Sequence, residues 1–424
     1  MAEWSLLPKD LLEQISNYFD TSIDLLRFRS VCTSWRSSVS PKPRCPSGSF
    51  RILPNDGISC ASFGFYLTKR TIFLIRLPDY HHQTSSDCWL VKIEEESPNR
   101  KHLLNPLSRY RFNSLPRSFP RPLDLLNFRV FELGQEYVLH HVNYKPSSPS
   151  IPDAGNLYME KVVITWLNHG SQFLLLTIHV SGKLAFFKSG DKKWTIIQEM
   201  PSPYDDVIAY NEKLYAVDHT GRTVCVGLNA ELNLIANPVF GGDRKCLVES
   251  RGQLLLVDTY LSIDTADENQ DVGEESLEHL AQYMSERTVR FKVFKLEEAL
   301  QSWIGVNSLD DRVLFLGEYS SFSASAADLS GCSGNCIFFM DSFFYPRDEN
   351  TDEEEDSVLV GGDIGVFDLG IASIGPLSNY PEYSKMFWPP PDWVSSTSLE
   401  AAVSRWWVEA KYLKQVLRFF SLQN

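Results

Sequence analysis

The sequence predicts an α+β multidomain chain: a small all-α module comes first, a large all-β domain follows, and one amphipathic helix closes the chain. Apolar residues recur at helical spacing near both ends of the 424 residues. Between those ends, short runs rich in β-branched and aromatic residues alternate with turn residues, which is typical of strands. The predicted boundaries are 1–40 for the helical module, 41–49 for a linker, 50–395 for the β-domain and 396–424 for the C-terminal helix.

The N-terminal module carries more apolar side chains than a segment of its size can bury. Pro8 suits a first helical turn, Asp10 lies near the positive end of that helix, and Asp24 is a favourable N-cap for a second helix. The apolar positions at helical spacing are Leu7, Leu11, Leu12, Ile15, Tyr18, Phe19, Leu25, Leu26 and Phe28. Because so short a segment hides little surface within itself, the excess predicts a partner surface. A helical cap on the following domain is the alternative.

The order and spacing of these residues resemble the F-box. The agreement runs through Leu7-Pro8-x-Asp10-Leu11-Leu12-x-x-Ile15 and then Asp24-Leu25-Leu26-Arg27-Phe28-Arg29-x-Val31-Cys32-x-x-Trp35-Arg36. The resemblance implies that the module docks on the adaptor Skp1 and so reaches a cullin and its RING subunit. The implied Skp1-binding residues are Leu7, Pro8, Leu11, Leu12, Ile15, Leu25, Leu26, Val31, Cys32 and Trp35. Some would face Skp1 and others would hold the helices together; for Trp35 both roles stay open.

A short Pro-rich linker separates this module from the β-domain. Runs such as YLTKRTIFLIRL and QFLLLTIHV predict strands, and no long helical period interrupts them. Such a domain closes into a barrel, a sandwich or a propeller. Degenerate units recur, for example around Gly182-Lys183-Leu184 and Gly252-Gln253-Leu254. At about 40–50 residues per unit they predict a propeller-like, kelch-like fold of six or seven blades, with a pair of separate β-domains as the competing fold.

Further phrases resemble plant F-box proteins of the SKIP23-like group, in which a β-propeller-like domain of undefined function follows the F-box. They include Leu103-Leu104-Asn105-Pro106, Lys245-Cys246-Leu247-Val248, Gly334-Asn335-Cys336 and Pro389-Pro390-Pro391-Asp392-Trp393. In order, they cover nearly the whole chain up to Trp393. The resemblance implies a substrate-recruiting subunit and leaves the recruited protein unidentified.

The C-terminal residues depart from that family pattern. Thr397-x-x-Glu400 is a capping box, and an apolar stripe follows it at three- and four-residue steps. The stripe comprises Leu399, Val403, Trp406, Ala410, Leu413, Leu417 and Phe420. Packing across the β-domain is the favoured interpretation, ahead of a partner-binding helix or a membrane-surface helix. Two acidic segments, 264–276 and 348–356, are interpreted as solvated loops.

No constellation of reactive side chains predicts catalysis. Cys332 and Cys336 form the only close cysteine pair, and a structural zinc ion needs four ligands, so turn residues or buried thiols are the better interpretation. The histidine doublets at 81–82 and 140–141 would point apart on a strand. No Walker loop, dinucleotide fingerprint or G-x-S-x-G elbow is present. We therefore predict no catalytic, cofactor-binding or metal-binding residue, and no cofactor.

Charge and composition restrict the partners and the location. The formal net charge of −14 disfavours nucleic acid as a partner. No apolar run is long enough to predict a membrane span, and the N-terminus has no signal core. Eight scattered cysteines are typical of reduced thiols. The expected location is the nucleus and/or the cytoplasm, without secretion.

Together these observations predict a non-catalytic substrate-recognition adaptor of a Skp1–cullin–F-box E3 ubiquitin ligase. Skp1 would bind the N-terminal helices and an unknown protein substrate would bind the β-domain. The first alternative is an F-box protein that acts as a scaffold or decoy outside the ligase. The second is a β-propeller enzyme or a sugar-binding protein with a helical cap.

Overall fold

A computed structural model gives the fold of most of the chain. It describes residues 7–16, 22–39, 53–54, 65–77, 88–97, 100–112, 115, 119, 128–141, 159–167, 172–265, 284–329, 331–341 and 364–395. The predicted linker 41–49, the predicted helix 396–424, the acidic segment 348–356 and nearly all of the acidic segment 264–276 lie outside these residues. The confirmed fold class is a helical N-terminal module followed by a large all-β domain.

Three short helices form the N-terminal module: α1 at Lys9–Ser16, α2 at Ser22–Ser30 and α3 at Thr33–Ser38. The predicted start of the second helix at Asp24 is wrong, since α2 begins at Ser22 and Asp24 lies in its first turn. There the Asp24 carboxylate lies near the positive helix end and pairs with Arg27, so it stabilises the turn without capping it.

The first two groups of strands share one eight-stranded sheet. The first group contains β1 (Phe65–Arg76), β2 (Cys88–Ser97), β3 (Arg100–Leu104) and β4 (Arg129–His141), in the order β3-β2-β1-β4. The second contains β5 (Met159–Leu167), β6 (Gln172–His179), β7 (Leu184–Lys188) and β8 (Thr195–Ile196), in chain order. In the described part of the chain, the ladder between β4 and β5 has a single residue pair, Tyr137 with Val162, so we treat the two groups as separate units of the sheet.

The third and fourth groups are regular four-stranded antiparallel sheets. The third contains β9 (Tyr204–Tyr210), β10 (Lys213–Asp218), β11 (Thr223–Val226) and β12 (Leu232–Ala236). The fourth contains β13 (Arg244–Ser250), β14 (Gln253–Thr265), β15 (Met284–Glu297) and β16 (Ser302–Val306). In both groups the chain runs steadily from the first strand to the outermost strand, as in a propeller blade.

The fifth group has five strands and one parallel pair. It contains β17 (Arg312–Leu316), β18 (Ser321–Ser325), β19 (Cys336–Met340), β20 (Ile364–Asp368) and β21 (Ser373–Pro376), in the order β18-β17-β19-β20-β21. Strands β17 and β19 are parallel. After β21, the helices α4 (Pro381–Ser384) and α5 (Asp392–Ser395) lead the chain back to the first group, where the amide of Leu90 donates to the Met386 carbonyl at 2.7 Å.

One strand from each group lies at the centre, and these five strands contact one another in a closed ring. The ring order is β4, β5, β9, β13 and β18, after which β18 contacts β4 again. A separate apolar cluster fills each of the five junctions between neighbouring groups. The closed ring favours one propeller-like domain over two separate β-domains.

The predicted count of six or seven blades is wrong for the described strands, which form five groups. The prediction divided the length of the β-domain by about 40–50 residues per blade. Several strands are long, with 13 residues in β14 and 14 in β15. The chain between β14 and β15 adds residues 266–283, which lie outside the described part. Each group therefore uses more chain than the average blade.

Candidate adaptor-binding helices and the polar centre of the β-domain

Among the described residues of the N-terminal module, three large apolar side chains are buried. Leu12 of α1 has no exposed surface, and Leu25 and Phe28 of α2 are buried. The Trp35 ring of α3 is half-buried and lies 4.5 Å from the Phe28 ring, centroid to centroid. Of the predicted Skp1-binding residues, Leu12 and Leu25 therefore belong to the core of the module, and Trp35 packs against that core.

Other predicted residues remain on the surface of the same module. Leu11 is 45% exposed, Val31 is 50% exposed, and Pro8 is also exposed. Leu7, Ile15, Leu26 and Cys32 are half-buried. Large apolar side chains exposed on so small a module indicate a surface that a partner can cover.

Two arginines tie α2 to α3 through the backbone. The Arg29 guanidinium donates to the Arg36 carbonyl at 3.0 Å and to the Val39 carbonyl, while the Arg36 Nε donates to the Arg29 carbonyl at 3.2 Å. Each bond satisfies a carbonyl at or near a helix end, where no intrahelical donor is available. These reciprocal bonds fix the relative positions of Val31 and Trp35.

Arg27 joins the helical module to the β-domain, a role that sequence reasoning missed. Its Nη1 lies 3.2 Å from the Asp24 Oδ1, and its Nη2 donates to the Phe128 carbonyl at 2.6 Å. The Phe128 ring lies 5.4 Å from the Trp393 ring, beside the fully buried Val394. The module therefore contacts the first strand group where the C-terminal segment also packs.

A buried polar cluster, which we call the polar centre, lies inside the strand ring. Each ring strand contributes one side chain: Glu136 from β4, Lys161 from β5, Asp206 from β9, Cys246 from β13 and Ser321 from β18. The Lys161 Nζ lies 2.9 Å from the Asp206 Oδ1, and the Cys246 Sγ lies 2.9 Å from the Ser321 Oγ. The polar centre thus links neighbouring strand groups by charge and by hydrogen bonds.

Asp206 is a carboxylate of the polar centre with several buried partners. Besides Lys161, it accepts the backbone amides of Val207 and Leu247, each at 2.7 Å. Burial tends to lower the pKa of Lys161, but the Asp206 carboxylate, together with smaller contributions from Cys246 and Glu136, outweighs burial and holds that pKa above its usual value. The charged form of Lys161 is therefore favoured inside the domain by the Asp206 carboxylate beside it.

Glu136 continues the polar centre into the first strand group. Its carboxylate pairs with the Arg70 Nη1 at 3.1 Å and with the Lys92 Nζ at 3.0 Å, and it accepts the Ser320 hydroxyl at 3.0 Å. The Lys92 Nζ also donates to the Ser108 carbonyl at 2.8 Å. One carboxylate therefore forms ion pairs with two buried cationic side chains.

Glu94 neutralises the other side of Arg70. The Arg70 Nε lies 2.6 Å from the Glu94 Oε2, and Arg111 pairs with the second oxygen. Burial tends to raise the pKa of Glu94, but the attraction of Arg70 and then Arg111 outweighs burial and holds that pKa below its usual value. The ionised form of Glu94 is therefore favoured more strongly in the folded than in the unfolded chain.

We expect the stability that Glu94 supplies to depend on pH. Because its pKa is lower in the folded state, the contribution is fully present above the unfolded-state pKa of about 4.3. It is lost as pH falls through the folded pKa. Urea unfolding of the wild type and Glu94→Gln should show a stability difference at pH 6 that shrinks steadily towards pH 3. A difference that stays constant over this range would contradict the assigned ion pairs.

Three buried or half-buried thiols of the β-domain are held in their protonated form. Burial raises the pKa of Cys246 to about 12 and that of Cys336 to about 12, and it raises the pKa of Cys332 as well. A thiol that stays protonated at neutral pH is a poor nucleophile and a poor metal ligand. Within the described ranges, no three His, Cys, Asp or Glu residues are grouped to hold a metal ion. No helix of the described part is long and apolar enough to span a membrane.

Comparison with known proteins gives the following similarities. Residues 4–45 match the F-box domain, and residues 64–368 match the KIB1-4 β-propeller. F-box protein SKIP23 of Arabidopsis thaliana is 45% identical over 93% of this chain and 96% of its own length. F-box protein At2g17036 of the same plant is 37% identical over 94% of this chain and 96% of its own length. Among solved structures, the WD40 domain of SCAP from fission yeast aligns over 73% of this chain and 64% of its own, at 12% identity and a TM-score of 0.19.

Proposed function

The chain belongs to the F-box proteins that carry a KIB1-4 β-propeller, and from this premise we propose that it is the substrate-recognition adaptor of a Skp1–cullin–F-box ubiquitin ligase. In this proposal Skp1 binds the N-terminal helices and brings the cullin and its RING subunit. A protein substrate binds the β-domain. The chain itself performs no bond chemistry, and it acts in the nucleus and/or the cytoplasm.

One observation supports the Skp1-binding part of the proposal most directly. The module fills its interior with Leu12, Leu25 and Phe28, yet it leaves Leu11 and Val31 about half exposed. The reciprocal bonds of Arg29 and Arg36 hold α2 against α3 and so fix the turn that carries Val31. A preformed apolar surface binds a partner with little ordering cost, which favours stable association.

The adaptor would work by positioning. Holding a substrate close to a charged ubiquitin-conjugating enzyme raises its effective concentration, so a two-step encounter becomes a reaction within one complex. The Arg27 bond to the Phe128 carbonyl supports a defined orientation of the helical module on the β-domain. A defined orientation keeps the distance between the Skp1 end and the substrate end within a narrow range.

Reconstitution with purified subunits tests the proposal. The full chain is mixed with Skp1, a cullin and a RING subunit, and the mixture is separated by gel filtration with light scattering. We expect one stoichiometric complex of all four proteins. A complex with Skp1 that never incorporates the cullin would favour the scaffold or decoy alternative, and a chain that elutes free of Skp1 would overturn the proposal.

A further inference from the structure

A group of cationic and aromatic side chains lies at the end of the domain where β9 and β13 begin. We call it the basic–aromatic patch; it comprises Phe240, Tyr260, Arg290 and Lys292. Tyr260 of β14 and Arg290 of β15 are cross-strand partners. The Arg290 Cζ lies 4.6 Å and the Lys292 Nζ 5.2 Å from the centre of the Tyr260 ring. One aromatic ring therefore holds two cations at defined positions.

The loop before β13 passes close to Tyr260 and carries an exposed phenylalanine. Gly241 has a φ of +124°, and a Cβ at this position would lie 2.7 Å from the Tyr260 hydroxyl oxygen. Only glycine allows the loop backbone to lie so close to Tyr260. The preceding residue, Phe240, is 78% exposed. Most of the Phe240 ring is therefore accessible to a binding partner.

The acidic side chains around the patch already have partners. Asp258 pairs with the buried Lys245 at 2.6 Å, and Glu286 pairs with Arg244 at 2.9 Å. The Asp243 carboxylate accepts the Leu261 amide at 2.7 Å. No carboxylate of the described residues pairs with Arg290 or Lys292, and both side chains are exposed. In a chain with a net charge of −14, this is a local excess of positive charge.

We propose that the basic–aromatic patch docks an acidic segment of a partner protein, with aspartate or glutamate side chains on Arg290 and Lys292 and an apolar or aromatic neighbour on Phe240. Charge complementarity selects this occupant, because two positioned cations without carboxylate partners attract carboxylates and steer their approach. Tyrosine, arginine and an exposed aromatic anchor are also the residue types that dominate binding energy in protein interfaces. The inference rests on the proposed function: the acidic segment is the part of the substrate that the adaptor holds.

The test uses a fluorescein-labelled glutamate–tyrosine peptide as the probe and fluorescence anisotropy of the full chain. The patch variant is Arg290→Glu plus Lys292→Glu. The matched control is Lys192→Glu plus Lys193→Glu, which changes the net charge equally at two exposed lysines in the turn before β8. We expect binding by the wild type, a Kd about tenfold or more weaker in the patch variant, and a change below about threefold in the control. Replacing glutamate by glutamine in the probe should abolish binding.

Three results would overturn the inference. They are no binding of the probe by the wild type, equal weakening in both double variants, and equal affinity for the glutamine–tyrosine peptide. The chain's own acidic segment is tested with Asp267→Asn, Glu268→Gln and Asp271→Asn together. If the triple variant binds the probe and the wild type does not, the chain's own acidic segment occupies the patch, and the assignment to a partner protein is wrong.

Skp1 binding by the same variants separates this inference from the proposed function. We expect the patch variant and the wild type to bind Skp1 equally well, since the patch lies on the fourth strand group and the exposed leucine and valine lie on the helical module. A wild-type chain that binds Skp1 but not the probe contradicts the patch assignment and leaves the ligase role intact. A wild-type chain that binds the probe but not Skp1 contradicts the ligase role. The chain would then be a peptide-binding propeller protein.

Discussion

Replacing Asp206 by alanine is expected to lower the free energy of unfolding by about 3–5 kcal/mol, because it leaves the Lys161 ammonium buried without its counter-ion. The Leu247 amide loses its acceptor in the same variant. Both losses fall inside the strand ring, where water cannot replace the carboxylate. Urea unfolding of the full chain, followed by tryptophan fluorescence, measures the effect.

Two controls distinguish the buried pair from a general loss of charge. Glu286→Ala removes a carboxylate from the exposed Arg244–Glu286 pair and is expected to cost less than about 1 kcal/mol. In the double variant Asp206→Ala plus Lys161→Met, the stranded cation is gone, so the loss should be clearly smaller than in Asp206→Ala alone. The single variant Lys161→Met completes the comparison. If the loss of unfolding free energy in the double variant equals the sum of the losses in Asp206→Ala and Lys161→Met, the two charges do not interact as described.

Replacing Leu11 and Val31 together by alanine is expected to weaken Skp1 binding while the fold stays intact. Each side chain is about half exposed, so covering both would remove enough apolar surface to supply about 1.5–3 kcal/mol. This corresponds to a Kd raised about ten- to 150-fold. Isothermal titration calorimetry of the full chain against Skp1 measures the change, and circular dichroism verifies that the helices persist.

Leu12→Ala is the matched comparison, because Leu12 is the neighbour of Leu11 but faces the interior of the module. Its loss is expected to destabilise the three helices by about 2–5 kcal/mol. Hydrogen exchange at amides of α1 to α3 should therefore accelerate in Leu12→Ala and stay unchanged in the Leu11 and Val31 double variant. Faster exchange in both variants would mean that Leu11 and Val31 also support the fold of the module and are not purely surface residues.

The sequence predicted the order of the domains and most of the strands, because periodicity and turn residues are local signals. Strands such as Phe65–Arg76 and Gln172–His179 coincide with the runs recognised as apolar. The number of blades depends on which strands meet across the ring, which is a non-local property. The parallel pair of β17 and β19 likewise cannot be inferred from local pattern.

The candidate site was predicted in part. The spacing from Leu7 to Trp35 identified the residues of the helical module but not their division into core and surface, since the neighbouring residues Leu11 and Leu12 differ in burial although both fit the apolar pattern. The polar centre was missed altogether. Its only local signal is a charged residue inside an apolar strand, as at Glu136 and Lys161, and such residues more often face solvent.

Direct titration of Skp1 into the full-length wild-type chain tests the central claim most directly. A two-ended adaptor with a preformed apolar surface on α1 and on the turn between α2 and α3 should bind one Skp1 per chain with a Kd of about 1 μM or tighter. The affinity should fall in the Leu11→Ala plus Val31→Ala variant and remain unchanged in the Arg290→Glu plus Lys292→Glu variant. No detectable binding by the wild type, or binding that the Leu11 and Val31 double variant leaves intact, would contradict the assignment of the N-terminal helices as the ligase-binding end.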